Sequence, residues 1–252
     1  MNDLVSIIMP AHNSNKTIIA SIESVINQTY SNWELLIIND SSSDDTFEIV
    51  THYAKSDERI KILNTDKSLG KPFYPRNLGI GNAKGRYIAF LDSDDIWLPT
   101  KLEHQIPLFE QEDVAIVFSY YQKFSEEQDI QKKKRIIKSP DIVNFKTALY
   151  GNPIGNLTGV YDIGKVGKVF CEDIGQEDYY LWLTILRQGY IAKNTNSLEA
   201  AYRISKTSFS YNKVNAAVRT WEIYRKIFGY NLLKILFCYT IYAIKGMVKY
   251  IK

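Results

Sequence analysis

A chain of 252 residues, 45% hydrophobic and 23% charged, has room for one sizeable α/β core and an ordinary globular composition. A net charge of +3 gives no whole-chain case for a nucleic-acid partner, and only two cysteines, Cys171 and Cys238, argue against a disulfide framework or a cysteine zinc site and fit a reducing cytosol. No signal peptide is read at MNDLVSIIMPAHN and no run reaches the roughly 18 apolar residues of a membrane-spanning helix, so a cytoplasmic protein is expected.

In chain order, Val5 to Pro10 reads as a buried strand and Ala11 to Ser14 as the turn after it. Ser14 or Asn15 can cap a helix whose apolar positions Ile18, Ile22, Val25 and Ile26 recur at helical spacing. Trp33 to Ile38 is a second strand ending in Asn39 and Asp40, followed by a polar loop, a helix over Thr46 to Tyr53 and a short strand over Ile60 to Leu63. Phe73 to Ala83 reads as a helix with Pro75 in its first turn. Gly79, Gly81 and Gly85 are not a dinucleotide loop, because the strand and helix stand in the wrong order around them; they mark a helix end and close packing. Strands alternating with helices of this length imply βαβ units and a mostly parallel sheet.

The fourth strand, Tyr87 to Leu91, runs directly into Asp92, Ser93, Asp94 and Asp95. Carboxylates at the C-terminal end of such a strand lie where open α/β sheets bind ligands. So much like charge at one strand end is costly unless something compensates it, and Mg²⁺ or Mn²⁺ holding a substrate diphosphate would do so. The plain alternative is a solvated acidic turn in which Asp94 or Asp95 caps the next helix. Asp40, at the end of the second strand, can face the same crevice.

Leu98 to Gln111 then reads as a helix, Val114 to Tyr121 as a strand, and Gly155 to Tyr161 as a further strand. The basic run Lys132 to Arg135 is a solvated loop or a contact for anionic lipid or phosphate. Gln176, Glu177 and Asp178 open an amphipathic helix containing Leu181, Trp182, Ile185 and Leu186. Acidic residues suit a first helical turn through the helix dipole alone, but transfer to a hydroxyl also needs a carboxylate base apart from any metal ligand. From Lys213 the chain is helical, and Tyr230 to Lys252 places Lys234, Lys245, Lys249 and Lys252 among bulky apolar groups. That stripe fits a helix lying in a membrane interface, one docked on the catalytic domain, or a dimer seam.

VSIIMPAHN, SVINQTY, WELLIINDSSSDDT, PRNLGIGNAKGRYIAFLDSDD and GQEDYYLWL, in that order and at that spacing over about residues 4 to 190, resemble the inverting family 2 glycosyltransferases of GT-A fold. The resemblance implies a Rossmann-like α/β domain over 1–212, with a nucleotide-binding half to residue 98, an acceptor half from 99, and a helical tail over 213–252. It implies that Pro10, Ala11, His12 and Asn13 line the nucleotide pocket, that Asp40 meets uracil, and that Arg76 lies near base and phosphates. Asp92 would meet ribose beside Ser93, Asp94 the divalent cation, and Asp178 would be the base. Asp95, Trp97, Gln176, Glu177 and Trp182 are candidate donor or acceptor contacts. The implied reaction moves a sugar from a nucleotide sugar, a UDP-sugar by family habit, to a glycan or lipid-linked glycan of a bacterial surface polysaccharide at the inner membrane face. His12 stands where the family often has tyrosine, Asn15 where it has glutamate and Pro75 where it has alanine. Two other classes fit parts of the pattern. A haloacid-dehalogenase-type phosphohydrolase also has Asp-x-Asp after a strand, though there it opens the domain, and a silent binding protein could retain the fold.

Overall fold

A computed structural model describes residues 3–125, 136–204 and 213–251. The N-terminal half alternates strictly: β1 (Val5–Ala11), α1 (Ile18–Ile26), β2 (Trp33–Asn39), α2 (Thr46–Ser56), β3 (Ile60–Asn64), α3 (Phe73–Asn82) and β4 (Tyr87–Phe90). Then come β5 (Ile96–Trp97), α4 (Lys101–Gln105), β6 (Val114–Phe124), β7 (Ile136–Ile137), β8 (Ile142–Val143), α5 (Phe145–Ala148), β9 (Val160–Asp162) and α6 (Ile163–Val166). The chain closes with α7 (Glu177–Leu186), β10 (Ile191–Arg203), α8 (Lys213–Phe228) and α9 (Leu232–Ile251).

The main path of the sheet runs β3-β2-β1-β4-β9-β6-β10-β5. Its first four strands are parallel, with Ile8 of β1 level with Leu36 of β2 and Phe90 of β4. β9 is antiparallel to both β4 and β6, and β6 is again parallel to β10. Both faces are covered, which is why β1, β2 and β4 read as continuous apolar runs rather than alternating ones. Ile8, Leu36, Ile38, Ile88 and Phe90 enter the core beneath α3, α7 and α8. Ile7, Met9, Leu35, Ile37 and Ala89 enter the other, beneath α1 and α2.

Several sequence-based expectations change. The helix expected over Leu98 to Gln111 is α-helical only to Gln105 and continues as a 3₁₀ turn over Ile106–Glu110, because Pro107 has no N–H to give. The expected strand from Gly155 begins as a 3₁₀ turn at Asn156–Thr158, and only Val160–Asp162 is extended. The first helix starts at Ile18, with Ser14 accepting from the N–H groups of Thr17 and Ile18 through its backbone carbonyl. The basic run Lys132 to Arg135 lies outside the described residues.

The glycine reading holds at two of three positions. An added Cβ would meet the Ile8 and Ile38 side chains at Gly79 and the β1 backbone at Gly85, while Gly81 has open space. At Gly85 that atom would sit 2.4 Å from the Leu4 carbonyl oxygen and 2.8 Å from the Ser6 nitrogen. Gly85→Ala is therefore expected to lose about 1–3 kcal/mol of stability in urea unfolding. An unchanged midpoint would contradict the close approach of this turn to β1.

Candidate functional site

Because β1, β2 and β4 are adjacent and parallel, their C-terminal ends bring Pro10 to Asn13, Asp40 and Asp92 to Asp95 to one edge of the sheet. Asp40 is buried and accepts the Thr65 and Ser68 hydroxyls, each at 2.7 Å and each on a different carboxylate oxygen. Its backbone carbonyl accepts from His12 at 2.6 Å, which fixes the proton on Nδ1 and leaves Nε2 as the acceptor of the exposed imidazole. Asn13, at φ 49°, accepts the Ser43 amide at 2.8 Å through Oδ1, so the turn after β1 is tied to the loop after β2. Asp44 accepts the Asn15 amide at 3.1 Å in the same manner. Ser93 and Ser14 join their hydroxyls at 2.8 Å, linking the acidic turn to this loop.

Among the described residues, two of the three carboxylates of the acidic turn are engaged and one is not. Asp92 Oδ1 accepts from Arg76 Nη2 at 2.5 Å, and the other terminal nitrogen of Arg76 is paired with Glu177. The Arg76 side chain, on α3, is only 6% exposed. Burial works against its charge, but the Asp92 and Glu177 carboxylates outweigh that and hold the guanidinium firmly protonated. Asp95 is buried, accepts the Arg203 amide at 2.9 Å, and is pushed up by burial and by Asp94 and Asp92. Asp94 makes no ion pair among the described residues. Burial and then the Asp92 charge raise its carboxyl to about 6.

Facing this turn is the start of α7. Gln176 takes the left-handed conformation, φ 66°, and turns the chain so that Glu177 reaches Arg76 while Asp178 sits beside Asn152. Asn152 donates to Asp178 Oδ2 at 3.1 Å. Burial and the adjoining Glu177 charge raise the Asp178 carboxyl to about 6. The crevice thus has a carboxylate without an ion pair on each side, Asp94 and Asp178, with the Asp92–Arg76–Glu177 bridge between them.

Not every candidate reaches the crevice. Trp97 is 2% exposed, donates to the Leu157 carbonyl at 2.8 Å and carries the Lys101 ammonium 4.0 Å above its ring. Trp182 is 1% exposed and packs against Gly159, Phe90 and Tyr161. Both rings belong to the cores and present no face to a sugar. Conversely, Asn152 and Arg203 were not singled out from sequence. Arg203 ends β10, donates from Nε to the Asp94 carbonyl at 2.8 Å and stacks its guanidinium over Phe124, so it brings positive charge to the acidic turn. Its signal was faint, because Asn152 lies in a loop and β10 contains the polar run Lys193 to Ser197.

Among the described residues no three His, Cys, Asp or Glu side chains form a group able to hold a metal ion unaided. The donor set suits a cation shared with a ligand. Asp92 and Asp95 are engaged, and Asp94 offers hard oxygen atoms without an ion pair among the described residues, in a place where burial and then the Asp92 charge disfavour its ionised form. Mg²⁺-like ions are commonly held by one or two carboxylates together with substrate phosphates.

A sheet of this topology, with carboxylates gathered at the C-terminal ends of its parallel strands, is a Rossmann-like α/β arrangement, in which ligands bind at that edge. The chain belongs to glycosyl transferase family 2, whose family model matches residues 6–166. Over 221 residues, 87% of this chain and 85% of the relative, it is 39% identical to WfgD of Escherichia coli, a UDP-Glc:alpha-D-GlcNAc-diphosphoundecaprenol beta-1,3-glucosyltransferase. Residues 1–349 of S. aureus TarS, solved with UDP-GlcNAc, superpose with a TM-score of 0.70 at 18% identity, covering 88% of this chain and 65% of that one. The mannosyltransferase PcManGT of Pyrobaculum calidifontis, solved with GDP-Man and Mn²⁺, gives 0.66 at 14% identity over 90% of this chain and 64% of that one. The fold is GT-A and the protein is a glycosyltransferase.

Proposed function

We propose that this glycosyltransferase moves a sugar from a UDP-sugar, with inversion at the anomeric carbon and with a divalent cation, to a hydroxyl of a glycan carried on a polyprenyl diphosphate lipid during surface-polysaccharide assembly. One observation carries the reading. Arg76 pairs with Asp92 and Glu177 together, and this leaves Asp94 and Asp178 as the carboxylates on either side of the crevice without an ion pair among the described residues. One suits a cation with a diphosphate and the other a base. The relative WfgD supports the donor and acceptor classes, since its name specifies UDP-Glc and a diphosphoundecaprenol-linked sugar.

On this reading Asp40 keeps its Thr65 and Ser68 donors and uses a remaining carboxylate lone pair for uracil. His12 Nε2 and the turn Pro10 to Asn13 border the base, and Asp92 Oδ2, opposite the oxygen held by Arg76, accepts a ribose hydroxyl. Ser93, tied to Ser14, fixes the turn. Asp94 would hold the divalent cation, Mn²⁺ or Mg²⁺, whose charge would offset that of the departing diphosphate. Asn152 orients Asp178 through Oδ2, so that Oδ1 takes the proton of the acceptor hydroxyl as it attacks the face opposite the diphosphate. Glu177 is committed to Arg76 and does not compete as base. Asp95 supports the turn through the Arg203 amide, and Gln176 sets the entry angle of α7.

Calorimetric titration with UDP tests the donor half of the proposal. Wild type with Mn²⁺ is expected to bind, and EDTA or Asp94→Ala is expected to weaken binding by at least about tenfold, the loss of one charge-assisted contact. Asp94→Ala binding UDP as wild type does would remove Asp94 from the cation site. Phosphate release from simple phosphomonoesters would instead revive the phosphohydrolase reading, although Arg76 holds the first aspartate that such an enzyme needs as nucleophile.

A further inference from the structure

The last two helices present two unlike faces. Along α9, Ile235 and Cys238 are buried and Tyr239 and Tyr242 half-buried, and these residues pack toward the core shared with α7 and α8. On the other side, at the same helical spacing, Leu233 (83%), Leu236, Phe237 (62%) and Ile244 are exposed, and Tyr230 in the preceding turn is 93% exposed. A docked helix would normally turn polar residues outward here. Beyond Glu222 the sequence contains Arg225, Lys226, Lys234, Lys245, Lys249 and Lys252 and no acidic residue. No helix among the described residues is long and apolar enough to cross a membrane.

We infer that the outer face of α9, with Tyr230, rests on an anionic lipid bilayer and holds the acceptor side of the crevice against it. Apolar groups flanked by lysines are what such a surface takes, burying the former among acyl chains and the latter among headgroup charges. A second copy of the chain is the poorer occupant, since a two-fold interface would bring together two copies of a tail rich in lysine and, beyond Glu222, free of acidic residues.

The placement has a purpose. Tyr224 of α8 donates to the Leu149 carbonyl, Lys226 pairs with Glu172, and the Arg219 side chain lies over Gly175. The last two contacts grip the segment Glu172 to Gly175 that leads into the helix carrying Asp178, and α8, which makes them, packs against α9. A bilayer under α9 therefore fixes the height of the base above the membrane, where a lipid-linked hydroxyl would arrive. This deepens the lipid-linked acceptor reading and rests on it.

The test is co-sedimentation of the full chain with phosphatidylcholine vesicles, with and without phosphatidylglycerol, alongside the double variant Leu233→Glu, Phe237→Glu. Wild type is expected to pellet with the phosphatidylglycerol vesicles and to be released by salt. The variant, changed only at exposed positions, is expected to lose at least about tenfold in vesicle affinity while binding UDP as wild type does. Equal sedimentation of the two proteins overturns the inference. So does a dimer seen by ultracentrifugation that the variant abolishes, with no vesicle binding by wild type. Transfer to a detergent-dispersed lipid-linked acceptor separates the two ideas. A chain that transfers but does not bind vesicles sinks the bilayer contact alone, whereas one that binds vesicles and never transfers supports the contact and sinks the acceptor reading.

Discussion

Asp178→Asn is expected to lower turnover by about 10²- to 10⁴-fold, the range in which a general base contributes, while UDP affinity changes by less than about twofold. The variant keeps the shape and the Asn152 neighbour but cannot take a proton. Wild-type turnover should carry an acid limb as well. The base works only when ionised, and burial with the Glu177 charge raises Asp178 to about 6, so activity rises through pH 6 rather than through the ordinary carboxylate range near about 4. The variant's residual rate should lack that limb. Stability moves in the opposite sense. A carboxyl whose folded-state value is raised favours the fold below its unfolded value and loses that contribution as pH climbs through about 6. At pH 7 the ionised Asp178 is therefore a burden that asparagine removes, and the variant should melt no lower than wild type. Unimpaired turnover would take Asp178 out of the role, and joint loss of turnover and UDP binding would mean that the site had collapsed.

The two acidic clusters were visible in the sequence, because Asp92 to Asp95 end an apolar run and Glu177 and Asp178 open a helix with an apolar stripe. Such signals are local, and a parallel sheet turns them into a common edge. What Arg76 touches was not local. It lies 16 residues from Asp92 and 101 from Glu177, and only the packing of α3 against β1 and β2 and the entry of α7 make it a bridge. Trp97 and Trp182 show the reverse error. An aromatic beside an acidic motif resembles a stacking platform, yet each ring faces inward because its strand or helix has its apolar side there. β10 escaped notice because the polar residues Lys193 to Ser197 interrupt its pattern, where its register against β6 shifts and Asn196 adopts φ 59°.

Arg76→Met is expected to lower the melting temperature by about 6–12 °C, corresponding to about 3 kcal/mol in a domain of this size. Methionine matches the volume but leaves two carboxylates facing each other without a cation, and Glu177 has only 13% of its side chain in solvent. Asp92 is 34% exposed and can draw more on water, which keeps the expected loss at the lower end for a broken buried pair. Turnover should fall together with stability, because Asp92 and α7 are positioned through the same guanidinium. Arg76→Lys should recover part of the melting temperature and little turnover, since an ammonium cannot span two carboxylates as the guanidinium fork does. The decisive comparison is Arg76→Met with Glu177→Gln. If the bridge acts through charge, removing one stranded carboxylate restores much of the melting temperature, while turnover stays low because α7 has lost its tie to Asp92. If Arg76 contributed only packing, the second substitution would restore nothing, and the proposed division of the crevice into a cation side and a base side would lose its support.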